Sequence, residues 1–116
     1  RKIPYVKCSS EVVWFDFEVI CGGARSQNDY LVLAKEFHAV VITNARICFE
    51  SDDDVVRRFI NLVDVFYNHA VKLVVTAEVR PKDLYAGSRL SFEFRRTCSR
   101  LSEMQAKSYL SRPHVF

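Results

Sequence analysis

The chain has 116 residues, of which 49% are hydrophobic and 27% are charged, so it contains enough apolar material for the core of one domain or of part of one. The formal net charge of +3 is unevenly distributed, because residues 80–112 contain eight Lys or Arg against three Asp or Glu, whereas residues 1–79 contain nine against eleven. No apolar run approaches the roughly 18 residues of a membrane-spanning helix, and no signal-peptide pattern opens the chain.

The cysteines are distributed as expected for a reduced protein. The four cysteines lie far apart, with no C-x-x-C pair, so we predict semi-buried free thiols and no zinc or other metal site. The chain begins at Arg1 rather than at Met, and we expect residues 1–116 to be a single α/β unit excised from a longer protein.

The first half of the chain predicts a strand, a helix and a second strand. Residues 12–17 are rich in β-branched and aromatic side chains and form the first predicted strand. Ser26 and Asp29 have the spacing of a capping box, which predicts a helix start. The apolar side of this helix comprises Tyr30, Leu31, Leu33, Ala34 and Phe37. Residues 39–43 form the second predicted strand, and residues 44–51 form a connection of undefined shape.

The central segment predicts a long amphipathic helix and a third strand. Ser51 and three aspartates suit a helix N-terminus. Apolar residues then recur at steps of three and four, with Phe59, Leu62, Val63 and Phe66 predicted to be buried. The opposite, polar side comprises Arg57, Asn61, Asp64 and Asn68. Residues 71–77 are typical of a parallel strand covered on both faces.

These elements predict an α/β fold with a small, mostly parallel β-α-β-α-β sheet followed by a long C-terminal helix. Residues 80–85 form a turn with Pro81 at the first helical position. The long helix extends from Ser88 and is ended by Pro113. Its predicted inner face comprises Phe94, Cys98 or Thr97, Leu101, Met104 and Ser108.

Polar residues at the strand ends provide only weak evidence of a site. No phosphate-binding loop motif occurs in the chain. Asp16 and Glu18 follow an apolar strand but have the wrong spacing for a Walker B pair, so an ordinary strand end is favoured. Asn44 and Thr76 end the other two strands, where open α/β sheets bind ligands, although capping or turn formation is the commoner role. His38, His69 and His114 are predicted to be boundary or surface residues.

Arginines give the stronger indication of a functional site. Arg57 and Arg58 lie in the first turns of the central helix, with Asp54 one turn before Arg58 as an expected ion-pair partner. Arg96 and Arg100 lie four residues apart on the last helix. Such a pair can bind phosphate oxygens through two guanidinium groups, but from periodicity alone a solvated charged stripe is favoured.

Several long stretches resemble one protein family. FEFRRTCSRLSEMQAKSYL at residues 92–110 resembles the C-terminal signature of the ZapE-type cell-division AAA+ ATPases and their mitochondrial relatives. Residues 15–44, residues 57–79 and the stretch PKDLYAG resemble the same family in the same order. The chain departs from the family pattern at Arg95 and at Ala45-Arg46. Because the Walker A and Walker B segments of the family lie upstream, the resemblance implies the C-terminal part of a P-loop AAA+ ATPase.

The resemblance also implies a function for the full-length protein. It implies ATP hydrolysis with Mg²⁺, used to remodel a protein partner, which is the tubulin-like division-ring polymer for bacterial members and respiratory-chain subunits for mitochondrial members. It implies Arg96 and Arg100 as nucleotide sensors, with Arg57 and Arg58 as alternatives that reach a neighbouring subunit's γ-phosphate. The corresponding location is the cytoplasm in bacteria or the mitochondrion in a eukaryote. A homo-oligomer and peripheral membrane association are compatible with this assignment.

A second hypothesis comes from the charge distribution. The basic last third of the chain would suit a non-catalytic interaction module whose C-terminal helix docks an acidic protein or a nucleic acid. Aromatic residues are not interleaved with the basic residues after Phe94, which disfavours nucleic acid as the partner. We therefore predict that this chain holds no cofactor alone and binds no nucleic acid.

Overall fold

The sheet forms the centre of the molecule. A computed structural model describes residues 3–115. Within them, a four-stranded sheet has the order β1-β2-β3-β4, with β1 at Lys7–Cys8, β2 at Val12–Asp16, β3 at Ala39–Ala45 and β4 at Lys72–Ala77. Strands β2, β3 and β4 are parallel, which confirms the predicted mostly parallel α/β sheet. Strand β1 is an antiparallel edge strand that was not predicted.

The helices connect the strands and close one side of the sheet. They are α1 (Phe17–Ile20), α2 (Gln27–Glu36), α3 (Asp53–Asn68), α4 (Ser91–Glu103) and α5 (Lys107–Leu110). Helices α2 and α3 pack against each other, and α4 packs against α3. The strand side chains beneath α2 and α3 are buried, namely Val13, Phe15, Val40 and Ile42.

The predicted start of α2 is confirmed, whereas the predicted cap of α3 is wrong. At α2 the Ser26 hydroxyl accepts a hydrogen bond from the Asp29 amide, and the Asp29 carboxylate accepts one from the Ser26 amide at 2.8 Å, which confirms the capping box. At α3, Ser51 is not the cap. A 3₁₀ turn at Glu50–Asp52 precedes the helix, and the Asp52 carboxylate accepts a hydrogen bond from the Phe49 amide. The predicted core residues of α3 are buried, namely Phe59, Leu62, Val63 and Phe66.

The prediction of one long C-terminal helix is wrong. Helix α4 ends at Glu103, and the separate short helix α5 begins at Lys107. The break redirects the chain so that the buried Tyr109 hydroxyl can donate to the carbonyls of Phe66 and Val71, at 3.1 and 2.6 Å. Consequently Tyr109 is buried, and Ser108, predicted to face inward, is exposed.

Three further expectations need correction. Phe17 belongs to α1 rather than to the first strand. Strand β4 is covered on one face only, since Val74 is 52% exposed. The thiols are not uniformly semi-buried, because Cys8 is exposed whereas Cys21 and Cys48 are buried.

Candidate functional site

Asp64 on α3 is the point where two of the predicted arginines meet. The Arg100 guanidinium donates a hydrogen bond to one carboxylate oxygen of Asp64 and forms an ion pair with it. Arg96, one turn earlier on α4, places a guanidinium nitrogen 3.7 Å from the other oxygen. The sequence placed Asp64 on the solvent-facing polar side of its helix, and this prediction is wrong, since its carboxylate lies beside two arginines of α4. Asp64 joins α3 to α4, because these helices pack along the face that carries it.

Arg100 is held by more than its ion pair. Its side chain is 25% exposed, and its guanidinium lies 5.1 Å from the centre of the Tyr67 ring, within cation–π range. The Tyr67 hydroxyl donates to the Glu103 carboxylate, and this hydrogen bond raises the pKa of Tyr67. Arg100 therefore has partners on both sides, whereas the Arg96 side chain is 61% exposed.

A groove between α3 and α4 brings Arg57 and Arg96 together. Its volume is about 240 Å³, and its lining residues are Arg57, Ile60, Asn61, Asp64, Leu90, Glu93 and Arg96. The two guanidinium charges in the groove are balanced by the carboxylates of Asp64 and Glu93, so the groove itself does not suit a triphosphate with its Mg²⁺. Arg57 and Arg96 are both exposed at its rim.

Arg58 has a different environment from Arg57. Its guanidinium donates to the Cys21 carbonyl at 3.2 Å, and so connects α3 to the end of α1. It does not form the ion pair predicted with Asp54, because the guanidinium is directed towards α1. Burial raises the pKa of the nearby Cys21 thiol. The two neighbouring arginines of α3 thus differ, because Arg57 is exposed whereas Arg58 is hydrogen-bonded within the fold.

The carboxyl ends of the parallel strands assemble a second polar cluster. The Asn44 side chain donates to Asp16 at 2.9 Å, and its backbone amide donates to the Thr76 hydroxyl at 3.3 Å. Asn44 has a φ of 64°, which a short polar side chain tolerates. Asp16 also caps α1 by accepting from the Glu18 amide. Asn44 and Thr76 therefore link the ends of β3 and β4 rather than capping a helix, as was predicted for them, and Asp16 makes the cap instead.

Arg46 is the main residue of this region that the sequence did not identify. It forms ion pairs with Glu18 and Asp52, and hydrogen bonds to these carboxylates raise the pKa of Arg46. It also borders a cavity of about 410 Å³ together with Asn44 and Thr76. The only available signal was its position in the 44–51 connection, which does not reveal distant acidic partners.

The histidines lie near the amino ends of the parallel strands, on the side of the sheet away from this polar cluster. The rings of His38 and His114 are 4.5 Å apart, and the His69 ring contacts the Val115 carbonyl at 2.8 Å. They occupy element boundaries, as predicted. Among residues 3–115, no three His, Cys, Asp or Glu side chains are grouped as metal ligands. None of the helices described is long and apolar enough to cross a membrane.

The α/β fold is compatible with part of an AAA+ domain, and comparison with known proteins identifies the family. A model of the AFG1-like ATPase family matches residues 1–113. The chain therefore belongs to the AFG1-like ATPase family, which confirms the resemblance.

Individual relatives include bacterial and eukaryotic proteins. The chain is 42% identical over 115 residues to the cell division protein ZapE of Escherichia coli. This alignment covers 99% of this chain and 31% of the relative. The chain is 30% identical over 141 residues to an uncharacterized protein of Schizosaccharomyces pombe, covering 97% of this chain and 31% of the relative. It thus spans about a third of the length of these relatives. No solved structure matches the chain.

Proposed function

We propose that this chain is the C-terminal part of an AAA+ protein that binds and hydrolyses ATP with Mg²⁺ and uses the energy to remodel a protein partner. The observation that carries the proposal is the family match over residues 1–113, together with 42% identity to a cell division protein. The partner proposed for a bacterial source is the tubulin-like polymer of the division ring. The proposed location is then the cytoplasm, or the mitochondrion for a eukaryotic source.

The proposed contribution of this chain to hydrolysis comes from two exposed arginines. ATP and Mg²⁺ would be held by residues outside the chain, since residues 1–116 contain no phosphate-loop motif. Arg96 would contact the nucleotide as a sensor, and Arg57 would reach the γ-phosphate of a neighbouring subunit in a homo-oligomer. A guanidinium in either position stabilises the charge that develops on the transferring phosphoryl group.

The contacts of the other two arginines support structural roles for them. Arg100 is paired with Asp64 and covered by Tyr67, and it holds α4 on α3 so that Arg96 projects from the preceding turn of α4. Arg58 is bound to the Cys21 carbonyl. A long side chain with internal partners must break them before it can reach a ligand. Of the four candidate arginines, we therefore propose Arg96 as the nucleotide sensor and Arg57 as the arginine that reaches the γ-phosphate of a neighbouring subunit.

The same contacts disfavour an interaction module that uses the basic helix. Arg96 and Arg100 are both close to Asp64, and Arg89 is 3.9 Å from Asp53. These carboxylates offset part of the positive charge that would attract an acidic partner.

The test is ATP turnover by the full-length protein, measured with and without replacement of its phosphate-loop lysine by Ala. Turnover that disappears in the variant supports the proposal. An unchanged low rate in both proteins, with and without the candidate division-ring polymer, would contradict it.

A further inference from the structure

A small cavity lies between α4 and the segment 80–90 that precedes it. Its volume is about 280 Å³, and the residues that line it include Lys82, Tyr85, Ser91, Phe94, Arg95 and Cys98. Arg95 lines this cavity, whereas its neighbour Arg96 lines the α3–α4 groove. The two adjacent arginines of α4 therefore face different parts of the surface, and the proposed nucleotide sensor does not account for this cavity.

The cavity carries two positive charges that no nearby acid balances. Among residues 3–115, neither Lys82 nor Arg95 forms an ion pair, and no Asp or Glu of that range lines the cavity. The α3–α4 groove differs, since Asp64 and Glu93 balance its arginines. Two basic side chains beside one cavity without an acid attract an anion.

The buried side of the cavity is aromatic. Tyr85 is 9% exposed and Phe94 is 5% exposed, and the centres of their rings are 5.7 Å apart. The Tyr85 hydroxyl donates to the Asp53 carboxylate at 2.9 Å, so an apolar group that covers the ring leaves no hydroxyl donor unpaired. Lys82 and Arg95 are exposed. A ligand can therefore rest an apolar body on the two rings while its charged group contacts the basic side chains.

The size and charge of the cavity define the class of ligand. Its volume is just below the range of about 300–1,000 Å³ that is usual for small-molecule sites, so it suits an anion much smaller than ATP. A phosphate monoester carries a charge of about −1.5 to −2 near pH 7, which matches two basic side chains better than one carboxylate does. The Arg95 guanidinium can bind two phosphate oxygens in parallel, and the Lys82 ammonium can bind a third. We propose that Lys82 and Arg95, together with the rings of Tyr85 and Phe94, bind a small phosphate monoester with an apolar body.

Cys98 reports whether the cavity is occupied, because its half-buried thiol lines the cavity. The probe is phenyl phosphate, whose ring corresponds to the aromatic side of the cavity and whose phosphate corresponds to the basic side chains. Alkylation of Cys98 by iodoacetamide in the full-length protein is followed by mass spectrometry of the peptide that contains it. The exposed thiol of Cys8 in the same sample is the internal reference, since Cys8 does not line this cavity.

We expect phenyl phosphate, at ten times a dissociation constant of about 1 mM, to slow alkylation of Cys98 about tenfold and that of Cys8 less than about twofold. Arg95→Gln and Lys82→Gln should each weaken binding at least about tenfold, because each removes a charge-assisted contact, so the slowing should decrease to about twofold or less. Lys107→Gln is the matched control. It removes the same charge from an exposed residue that does not line the cavity, so it should keep the slowing of the parent protein.

Three results would overturn the inference. One is alkylation of Cys98 that phenyl phosphate does not slow, or slows no more than that of Cys8. Another is equal slowing by phenol, which has the same ring without the phosphate. The third is slowing that persists unchanged in both Arg95→Gln and Lys82→Gln. The labelling requires no ATP, so failure of this inference is distinguishable from failure of the proposed function, which is measured by ATP turnover.

Discussion

Arg100 and Asp64 form an ion pair that joins α4 to α3. Both side chains are largely shielded from solvent, at 25% and 27% exposure, so screening by water weakens the pair less than it would an exposed one. Tyr67 covers the guanidinium on one side. The position of α4, and hence of Arg96, therefore depends on this contact.

Replacing Asp64 by Ala should lower the free energy of unfolding by about 1–3 kcal/mol, because a charge-assisted hydrogen bond is lost and Arg100 keeps a partly buried charge. Urea unfolding measures this as a lower midpoint at constant slope. Asn61→Ala, at an exposed position on the same groove, is the control and should change the free energy by less than about 0.5 kcal/mol. Equal midpoints for the two variants would show that the ion pair does not stabilise the fold.

Phe59→Ala should be among the most destabilising substitutions in α3. Phe59 is 3% exposed, and its ring lies 5.9 Å from that of Phe17 and 6.4 Å from that of Phe94. The expected loss is about 3–5 kcal/mol, as for other buried aromatic residues. Phe92→Ala is the control, since Phe92 is 72% exposed. A loss below about 1 kcal/mol for Phe59→Ala, measured by urea unfolding, would contradict the assigned core.

The sequence predicted the parts of the fold that depend on local pattern. The apolar runs at β2, β3 and β4 and the Ser26–Asp29 capping box lie within short windows, so periodicity identifies them. Strand β1 was missed because its two residues, Lys7 and Cys8, are too few to show an alternating pattern, although the strand they pair with follows directly in the chain. The break after Glu103 was missed because it is favoured by the contact of Tyr109 with residues more than 35 positions away.

The same distinction applies to the candidate site. Helical spacing identified Arg57 and Arg58, and Arg96 and Arg100, as neighbours on their own helices. Spacing does not show that Arg57 and Arg96 are exposed while Arg58 and Arg100 are bonded within the fold. That difference depends on how α4 packs against α3 and on where α1 ends. Asp64 was assigned to a solvent-facing side because its helix, considered alone, places it among polar residues. Interhelical partners of this kind have no signal in a single sequence.

Stability at alkaline pH should depend on Tyr109. Burial raises the pKa of Tyr109 to about 12, from an ordinary value of 10.0. A raised folded-state pKa means that the unfolded state loses the phenolic proton first, so stability is complete below pH 10 and decreases as the pH rises towards 12. Tyr109→Phe removes this titration. Its free energy of unfolding should therefore decrease less steeply over that window than in the parent protein.

The control for this pH dependence is Tyr5→Phe, since Tyr5 is 61% exposed. Urea unfolding at several pH values gives the slopes, and the difference for Tyr109→Phe should not exceed about one proton. Identical slopes for parent and Tyr109→Phe would show that the phenol does not titrate differently in the folded state.

Residues 1–116 alone should not bind Mg-ATP with micromolar affinity. The chain contains no glycine-rich phosphate loop, and the α3–α4 groove balances its arginines with Asp64 and Glu93. Calorimetric titration of the chain with Mg-ATP should give no saturable heat, whereas the full-length protein should bind. Micromolar binding by the chain alone would locate the nucleotide site within these residues.

In the full-length ATPase, Arg96→Ala should lower kcat at least about tenfold, which corresponds to about 1.4 kcal/mol of barrier. Its urea midpoint should hardly change, because an arginine with a 61% exposed side chain contributes little to stability. Arg96→Lys should restore turnover poorly, since an ammonium group cannot form the two parallel hydrogen bonds of a guanidinium. Initial rates of phosphate release, measured at saturating ATP, give these values.

Arg100→Ala is the matched variant one turn away, and it separates a sensor from a structural arginine. It should lower the urea midpoint because Asp64 loses its closest partner, and Arg100→Lys should recover part of this loss because the ammonium can still pair with the carboxylate. If Arg96→Ala and Arg100→Ala both hydrolyse ATP like the parent, the sensor assignment on α4 is wrong. Arg57 and Arg58 then become the residues to test, with the exposed Arg57 expected to affect kcat and the internally bonded Arg58 expected to affect stability.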